Sequence, residues 1–461
     1  MKDYDFLVIG GGSAGYNAAR VAQRLGKKVA IVDGAKTLGG LCMLRGCMPS
    51  KTLIYTAEVL HLAKTAKTLG LKIPHASANM KIVAARKKRI IADFAVHREQ
   101  QLTSGKYDLH RSMARFVDAH TVELENGKRL SAKKILIATG SKVSTPPVPG
   151  LANVPSWTSD EVLDLDFIPE SVIVLGGGIV ACELAQFLRR IGSRVVIIQR
   201  GKHILRDHSE EASSVVKQAF ADEGIKLYTD TKIEAISGDS KGVSVKFKTA
   251  GKTVTKRARY LFNALGRTAN STSLGLETIG VRTEDASGRI LTNRFQQTNL
   301  PHIYAAGDVS GPHDIVHLAV AQGELVANHA FGEKVKPIDN TLLLNVVFTD
   351  PQIGTIGAVE RDLKERGEPY LAASYPFNDH GKSILMEAHY GYVKVLAEPK
   401  KGRILGAEIV GKEASDLIHC FSGPLAMKAT VFDLLRAPWY HPTLAEIVTY
   451  PFEELADQIK A

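Results

Sequence analysis

The sequence predicts an α/β fold in which two similar βαβ units precede a C-terminal α+β domain, and three observations support it. A glycine-rich turn lies between an apolar strand and a helix near residue 10, and the same pattern recurs near residue 176. Glycine turns become sparse from Pro337 onward, where strands alternate with helices. The length of 461 residues suits about three domains of roughly 150 residues each.

The composition is that of a folded globular protein. Apolar residues make up 44% and charged residues 23% of the chain, which excludes disorder, collagen and coiled coil as descriptions of the whole. No stretch of about eighteen apolar residues is free of charge, so we expect no membrane span. The opening segment, Met1–Asp5, carries acids where a secretory signal would be basic. We therefore expect a cytoplasmic protein.

The net charge of +11 raises the question of nucleic acid binding. The positive residues are scattered, and the densest cluster, residues 81–98, has the apolar spacing of an amphipathic helix with a solvated face. We therefore expect neither a nucleic acid nor a membrane as partner. Anionic small molecules, such as phosphates or glutathione-like peptides, suit a positive field.

The first glycine motif, Gly10-x-Gly12-x-x-Gly15, follows the apolar run 6–9 and precedes a helical pattern. Its glycines allow a tight turn, and with Ser13 they let a pyrophosphate approach the helix N-terminus. Asp33 ends the next strand and can accept hydrogen bonds from a ribose. The strand, turn and helix together predict a Rossmann-like dinucleotide site.

The second motif, built on Gly176, Gly178 and Ala181, has alanine as its third member, which the pattern permits. The strand after it ends without an acid to hold a ribose 2′-hydroxyl. Arg200 and Arg206 follow instead and could accept a 2′-phosphate. This favours NADP over NAD, although a solvated basic loop is the alternative.

Four cysteines are too few for a disulfide scaffold, and two of them, Cys42 and Cys47, lie close in sequence. On a regular helix they would stand about 7.5 Å apart, beyond the usual disulfide limit of about 6.8 Å between Cα atoms. A bridge must therefore distort the turn, which Gly46 would ease, and a strained bridge suits redox chemistry. A zinc site needs four ligands, and the sequence does not offer them here, so we expect no metal. Two buried thiols remain an alternative to a redox-active pair.

These motifs, with three more, resemble the FAD-dependent pyridine nucleotide–disulfide oxidoreductases of class I, which include dihydrolipoamide dehydrogenase, glutathione reductase and mercuric reductase. The resemblance covers essentially the whole chain. It is carried by the cysteine signature Gly39–Pro49, the turn Ala138-Thr139-Gly140, the segment Ala305-Ala306-Gly307-Asp308, and His441-Pro442-Thr443 with Glu446.

The resemblance implies that the first motif binds FAD, with Asp33 on the adenosine ribose and Asp308 on the ribityl chain. Lys51 matches the lysine near the flavin ring, and Glu183 matches its ionic partner. NADPH is the implied donor, with NADH possible. Further positions that match cofactor contacts are Gly40, Ala114, Thr139, Gly140, Gly266, Arg267 and Gly307.

The resemblance also implies a reaction and a homodimer. A hydride passes from NADPH through the flavin to a Cys42–Cys47 disulfide, in which Cys47 contacts the flavin and Cys42 attacks a small disulfide substrate. His441, oriented by Glu446, is the acid–base and comes from the neighbouring subunit, so the two active sites are shared. The implied process is cell redox homeostasis.

The same resemblance implies the domain limits. Residues 1–148 form the first part of the FAD-binding domain, 149–268 the NAD(P)-binding domain, 269–336 the second part of the FAD-binding domain, and 337–461 a dimerisation domain.

The substrate is less defined, being of the glutathione type or the lipoamide type. The basic residues Arg200 and Arg206 resemble NADPH-using members, whereas Pro49-Ser50-Lys51 resembles dihydrolipoamide dehydrogenase and mercuric reductase. Mercuric reductase is disfavoured, because the cysteine pair expected near its C-terminus does not occur in this sequence. The motifs are also compatible with an NAD-linked dihydrolipoamide dehydrogenase of a multienzyme complex and with a transhydrogenase-like flavoprotein. Arg45 departs from the family pattern and places a charge beside the redox turn.

Overall fold

The computed structural model of the protein describes residues 2–460 and has the predicted α/β architecture. The elements from residue 2 to 143 are β1 (Lys2–Ile9), α1 (Ser13–Arg24), β2 (Val29–Val32), α2 (Gly40–Arg45), α3 (Cys47–Thr65), α4 (Met80–Leu102), β3 (Asp108–His110), β4 (Ala114–Asp118), β5 (Thr121–Leu124), β6 (Arg129–Ile137) and β7 (Ser141–Val143). Those from 159 to 263 are α5 (Ser159–Leu163), β8 (Ser171–Leu175), α6 (Ile179–Ile191), β9 (Arg194–Ile198), α7 (Glu210–Asp222), β10 (Lys226–Tyr228), β11 (Lys232–Asp239), β12 (Gly242–Thr249), β13 (Lys252–Ala258) and β14 (Tyr260–Asn263).

The remaining elements return to the first part of the fold and then form the C-terminal domain. They are β15 (Arg267–Ala269), α8 (Leu276–Ile279), β16 (Ile303–Ala305), α9 (Val316–Ala330), β17 (Leu344–Val347), β18 (Gln352–Gly357), α10 (Glu360–Arg366), β19 (Leu371–Pro376), α11 (Gly381–Leu385), β20 (Tyr392–Ala397), β21 (Ile404–Gly411), α12 (Ala414–Leu417), α13 (Ser422–Ala426), α14 (Val431–Leu435) and α15 (Thr449–Lys460).

The first sheet has the strand order β3-β2-β1-β6-β5-β4, and β16 also pairs with β6. The pairs that β1 forms with β2 and β6, and that β16 forms with β6, are parallel. Every residue of β2 is buried, as a strand covered on both faces requires. Because parallel strands end at one edge, the segments after β1, β2, β6 and β16 meet there, which is where ligands bind in such sheets.

The second parallel sheet has the order β10-β9-β8-β14, with an antiparallel sheet β11-β12-β13 beside it. It repeats the strand–turn–helix pattern, with β8, the turn 176–178 and α6 in place of β1, its turn and α1. The short antiparallel pair β7–β15 lies where the chain leaves the first sheet and where it comes back. The chain therefore contains two Rossmann-like domains, as predicted.

The C-terminal domain is an antiparallel sheet of order β17-β18-β21-β20-β19 with helices packed against it. The sequence pattern predicts one helix over 415–429 with a break at Gly423-Pro424, whereas the structure has α12, a 3-10 turn over 418–421 and then α13. The break therefore comes earlier, and Pro424 sits in the first turn of α13, where proline needs no backbone donor. The helix expected over 444–459 begins as a 3-10 turn at 445–448.

The predicted helix over the basic cluster 81–98 is present as α4, but the expected solvated face is only partly correct. Lys87 is buried, and its Nζ donates to the carbonyl of Leu163 at 2.9 Å and pairs with Asp164 at 2.5 Å. Ile82 and Val96 on the same helix are exposed instead. In the part of the chain that the structure describes, no helix has the length and apolarity needed to cross a membrane.

Candidate active site

One large cavity, of about 1620 Å³, opens at the carboxyl edge of the first sheet and extends to the second sheet and the C-terminal domain. It brings together residues that are far apart in sequence and were selected from separate motifs. The predicted residues that line it are Gly10, Gly12, Ser13, Asp33, Gly40, Cys42, Cys47, Lys51, Ala114, Thr139, Gly140, Glu183, Arg267, Gly307 and Asp308.

The first glycine motif forms one wall of this cavity by close backbone packing. Gly10 has φ +103°, and a Cβ there would collide with the carbonyl oxygen of Ala138. A Cβ on Gly15 would collide with the carbonyl of Gly10, so this glycine packs behind the wall rather than lining it. No side chain caps α1, whose N-terminus carries the positive end of the helix dipole. The donors and the open backbone suit a pyrophosphate.

Asp33 stands at the end of β2, where the sequence predicts it. Its Oδ2 accepts from the backbone N–H of Gly11 at 2.8 Å, and its Oδ1 accepts from Ala35 at 2.9 Å. The carboxylate therefore links the glycine turn to the loop after β2. A carboxylate retains lone pairs beyond these two bonds, so it can also accept from a ribose hydroxyl.

The two neighbouring cysteines lie on either side of a helix break. α2 ends at Arg45 and α3 begins at Cys47, and the residue between them, Gly46, has φ −130° and ψ −113°. A Cβ on Gly46 would lie 3.1 Å from the Cα of Cys42, so glycine permits this close turn. The continuous helix that would hold the sulfur atoms apart is therefore absent, as the spacing argument requires. Both cysteines are free thiols in the structure.

The pKa values of the two thiols are shifted in opposite directions. The pKa of Cys47 is lowered to about 7, first by a hydrogen bond from the Cys42 thiol and then by the charge of Lys51, against the opposing effect of burial. The pKa of Cys42 is raised, because its proton is held in that hydrogen bond and because it is partly buried. As pH rises through neutrality, Cys47 therefore loses its proton first, while Cys42 keeps its own.

Lys51 and Glu183 form an ion pair that joins three parts of the molecule. Lys51 Nζ on α3 lies 2.7 Å from Glu183 Oε2 on α6, and the Glu183 side chain is only 4% exposed. The other oxygen of Glu183 accepts from the backbone N–H of Phe348, directly after β17, at 2.9 Å. Lys51 Nζ also stands 4.5 Å from the centre of the Phe348 ring. The cation is held beside Cys47 at the cavity wall.

Asp308 and Arg267 are connected through Ser141, at the first residue of β7. Ser141 Oγ donates to Asp308 Oδ2 at 2.6 Å and accepts from Arg267 Nε at 2.8 Å. Arg267 Nη2 also donates to the Ser141 carbonyl at 2.9 Å. The sequence patterns do not identify Ser141, although it directly follows the Ala138-Thr139-Gly140 turn.

Asp314 is a cavity residue that no sequence motif indicates. It pairs with Arg289 at 2.9 Å, but burial and the nearby charge of Asp308 raise its pKa to about 6. His317 and His419 line the same cavity. The sequence gives one hint, because Asp314 lies close to Asp308 along the chain. His317 and His419 can be recognised as cavity residues only in the folded structure.

His441 and Glu446 are in contact with each other, but they do not line the cavity of their own chain. His441 Nδ1 lies 2.9 Å from Glu446 Oε1. The imidazole is 74% exposed, whereas the carboxylate is 9% exposed. The buried carboxylate therefore holds one side of the ring, and the other side of the ring is exposed. The imidazole is thus available to solvent or to a second molecule, and it is not part of the cavity of its own chain.

The second glycine motif repeats the geometry of the first. Gly176 has φ +109°, and a Cβ there would collide with the carbonyl of Ala264, just as at Gly10. α6 begins after Gly178 and buries Ala181. Arg200 and Arg206 are exposed on the segment after β9, and Arg206 lies 3.6 Å from Asp207. Gly266 precedes Arg267 with φ +105°.

Comparison with models of known protein families identifies the family of this chain. The family model described as pyridine nucleotide-disulphide oxidoreductase matches residues 4–323, and the dimerisation domain of that family matches residues 344–451. The chain belongs to this family. It is therefore an FAD-dependent oxidoreductase that takes electrons from NAD(P)H, and its C-terminal domain is a homodimerisation domain.

The relatives carry two different names. The chain is 33% identical to a mercuric reductase of Lysinibacillus sphaericus, over 96% of this chain and 81% of that protein. It is 31% identical to a dihydrolipoyl dehydrogenase of Bacillus subtilis, over 97% of this chain and 96% of that protein.

Solved structures have the same fold. LpdA from Mycobacterium tuberculosis superposes with a TM-score of 0.87 at 25% identity, over 99% of this chain and 100% of that one. The HOCl-induced flavoprotein disulfide reductase RclA from Escherichia coli also has a TM-score of 0.87, at 22% identity, over 98% of this chain and 99% of that one.

The acidity of Cys47 gives a prediction that needs no substrate. In the reduced protein, the rate at which iodoacetamide alkylates Cys47 should rise with pH around a midpoint near 7. Replacing Cys42 with alanine removes the hydrogen-bond donor, so the midpoint should move to higher pH. Alkylation at each position is measured by mass spectrometry of peptides.

Cys182 is the internal control for this experiment. It is fully buried, and burial raises its pKa, so it should resist alkylation in the folded protein at every pH tested. An unchanged or lower midpoint for Cys47 in the Cys42→Ala protein would contradict the proposed hydrogen bond.

Proposed function

We propose that this protein passes two electrons from NADPH to a small anionic disulfide through the Cys42–Cys47 pair. The observation that carries the proposal is the cysteine turn, in which Gly46 brings a low-pKa thiolate and its proton-bearing partner together beside Lys51. The overall reaction is NADPH + H⁺ + RSSR → NADP⁺ + 2 RSH.

The cavity has the features that FAD requires. It offers a glycine-lined turn at an uncapped helix N-terminus, Asp33 at the end of β2, and Asp308 held by Ser141. FAD held there would supply the hydride acceptor and the two-electron carrier between NADPH and the disulfide. We assign Asp33 to the adenosine ribose, Asp308 to the ribityl chain and Lys51 to charge developing near the ring. The glycines and Ala114, Thr139 and Arg267 complete the cofactor contacts.

Each cysteine then has one role. Two electrons and one proton open the Cys42–Cys47 bond and leave Cys47 as thiolate and Cys42 as thiol. Cys42, deprotonated by the partner subunit's His441, attacks RSSR; the substrate S–S bond breaks, and the imidazolium protonates the first RS⁻. Cys47 thiolate next attacks the sulfur of Cys42, which reforms the internal disulfide and releases the second RS⁻, and this thiolate takes up the second proton of the overall reaction from solvent.

The exposed His441–Glu446 pair supports shared active sites. Glu446 fixes the ring from behind, while the free edge of the ring faces outward from a homodimerisation domain. A carboxylate on Nδ1 leaves Nε2 as the proton acceptor. We therefore propose that each active site combines cysteines of one subunit with the histidine of the other.

The charge of Arg45 supports a negatively charged substrate. Arg45 lines the cavity beside the redox turn, its side chain is 67% exposed, and it pairs with Asp160 at 3.1 Å. An exposed guanidinium at this position can donate to a carboxylate of the substrate. Arg98, on α4, also interacts electrostatically with Cys42, but its Nε and Nη1 are buried, so a substrate cannot reach them.

NADPH is favoured by the end of β9. Gln199 directly follows β9, the position that Asp33 has after β2, and its amide donates to the His203 carbonyl at 3.1 Å. An amide in place of the acid removes the acceptor that a ribose 2′-hydroxyl would use. Arg200 and Arg206 are exposed nearby, and guanidinium groups bind phosphates in bidentate fashion. With Gly176, Gly178, Ala181 and Gly266, they form the proposed nucleotide site.

We also propose the domain division 1–148, 149–268, 269–336 and 337–461. The pairing of β14 with β8 supports a second domain that reaches residue 263, and the return of β16 to β6 supports a first domain made of two parts.

Lipoamide is the second candidate substrate. The relative named dihydrolipoyl dehydrogenase matches nearly its whole length, and the histidine–glutamate pair is compatible with either disulfide. Lipoamide is uncharged, so the two candidates differ in what Arg45 can contribute.

Disulfide turnover tests the proposed function directly. Glutathione disulfide, which carries net negative charge, should be reduced by NADPH with a higher kcat/KM than lipoamide. Replacing Arg45 with glutamine should raise KM for glutathione disulfide about tenfold, the loss of about 1.4 kcal/mol that a charge-assisted hydrogen bond supplies, and leave KM for lipoamide unchanged. The Cys42→Ser protein should retain FAD and lose turnover.

Three outcomes would contradict the proposal. Lipoamide turnover alone would replace it with a dihydrolipoamide activity. Turnover that survives in Cys42→Ser would remove the assigned role of the cysteine. Reduction of Hg²⁺ but of neither disulfide would point to the activity named for the mercuric reductase relatives.

Nucleotide preference is tested by the Arg200→Ala/Arg206→Ala double variant. KM for NADPH should rise about tenfold or more while KM for NADH stays the same, because only NADPH carries the 2′-phosphate. Arg194→Ala is the matched control, since Arg194 is also exposed but lies at the start of β9, away from Arg200 and Arg206, and pairs with Glu170. Equal effects on both nucleotides would contradict the assignment.

A further inference from the structure

A second histidine, His380, lies behind the His441–Glu446 pair. It directly precedes α11 and is completely buried. Its Nε2 is 3.4 Å from Glu446 Oε1, the same oxygen that His441 contacts. Its Nδ1 is 2.8 Å from the hydroxyl of Ser383, which is also fully buried. One carboxylate oxygen is thus flanked by a buried imidazole and an exposed one.

The neighbours of the His380 ring favour one position for its proton. Burial lowers the pKa of His380, so the ring is neutral and carries one proton. If that proton were on Nδ1, the bare Nε2 would face the Glu446 carboxylate, lone pair against lone pair. With the proton on Nε2, Nδ1 accepts from Ser383 Oγ–H, and the Nε2–H points toward a carboxylate oxygen 3.4 Å away. That contact is long, and among the described residues Nε2 has no other partner, so the electrostatic attraction to Glu446 is what the proton on Nε2 gains.

The surroundings of His380 contain few other charges. The ring centroid of Tyr450, on α15, is 6.0 Å away in an edge-on arrangement. Tyr375, on β19, stacks on Tyr450 and donates its hydroxyl to the Asp379 carboxylate at 3.1 Å. The titratable groups facing His380 are therefore Glu446 and His441, with Tyr375, Tyr450 and Asp379 engaged with one another.

We propose that His380, held by Ser383, is a positioning residue that shares the Glu446 carboxylate with His441 and thereby sets the orientation and basicity of the outward-facing imidazole. This rests on the proposed acid–base role of His441. The Nε2–H of His380 disperses part of the carboxylate charge and keeps Oε1 directed between the two rings. Without it, the full charge acts on His441, which favours the imidazolium and removes free base at neutral pH.

Two substitutions separate positioning from packing. Glutamine can place its amide N–H close to where the Nε2 of histidine lies, so His380→Gln keeps the donor toward Glu446. Asparagine is shorter and can replace only the Nδ1 side, so His380→Asn loses that donor. Both leave a polar side chain of similar character at a buried position. Ser383→Ala is a milder third variant. It keeps the imidazole but removes the hydroxyl that contacts Nδ1, so the ring proton is no longer restricted to Nε2.

The test measures the pKa of His441 by NMR in the holoenzyme homodimer with ¹³C-labelled histidine, the signal being assigned from its loss in His441→Ala. In His380→Asn we expect the pKa of His441 to rise by about half a unit or more, with a smaller rise in Ser383→Ala and the wild-type value in His380→Gln. This measurement needs no substrate, so it is independent of whether the proposed disulfide is correct.

A kinetic measurement then connects positioning to the reaction. Reduction of the holoenzyme by NADPH should be unchanged in all three variants. Reoxidation by glutathione disulfide should slow about tenfold or more in His380→Asn, with its acid limb moved to higher pH, and recover in His380→Gln. A wild-type pKa for His441 in both His380→Asn and Ser383→Ala would overturn the proposal. A shifted pKa with normal reoxidation would support the contact but overturn the acid–base role of His441.

Discussion

The Lys51–Glu183 ion pair is the interaction on which the arrangement of the site depends. Glu183 is nearly inaccessible to water, so an unpaired carboxylate at this position would cost several kcal/mol. Its two oxygens are held by α3 on one side and by the backbone after β17 on the other, while the residue itself belongs to α6. A single buried carboxylate thus joins the first sheet's helices, the second Rossmann-like domain and the C-terminal domain at the wall of one cavity.

The redox turn is built against this junction. α3 begins at Cys47 and carries Lys51 one turn later, so the ion pair that fixes the helix also fixes the cation near the low-pKa thiolate. The break at Gly46 then places Cys42 on a separate short helix close to Cys47. The exposed His441 belongs to a homodimerisation domain and stands outside this cavity, so dimer formation is what would complete the proposed site.

The sequence predicts the local features well because they depend on the chain's own backbone. Gly10 and Gly176 adopt positive φ in matching turns, and Asp33 ends its strand as expected. Contacts between distant segments could be predicted only where the family resemblance marks both residues, as for Lys51 and Glu183. Ser141 joining Asp308 to Arg267, Lys87 buried beneath α5 residues, and His380 behind Glu446 each depend on how separate elements pack. No spacing rule in one sequence encodes these pairings.

The central claim is that electrons from the nicotinamide reach the Cys42–Cys47 pair. The direct test is to count thiols in the holoenzyme, by alkylation after denaturation and mass spectrometry, before and after one equivalent of NADPH without oxygen. The chain has four cysteines, so we expect only Cys182 and Cys420 to be modified before reduction and all four to be modified afterwards. Flavin reduction with Cys42 and Cys47 still unmodified, or both already free in the oxidised enzyme, would contradict it.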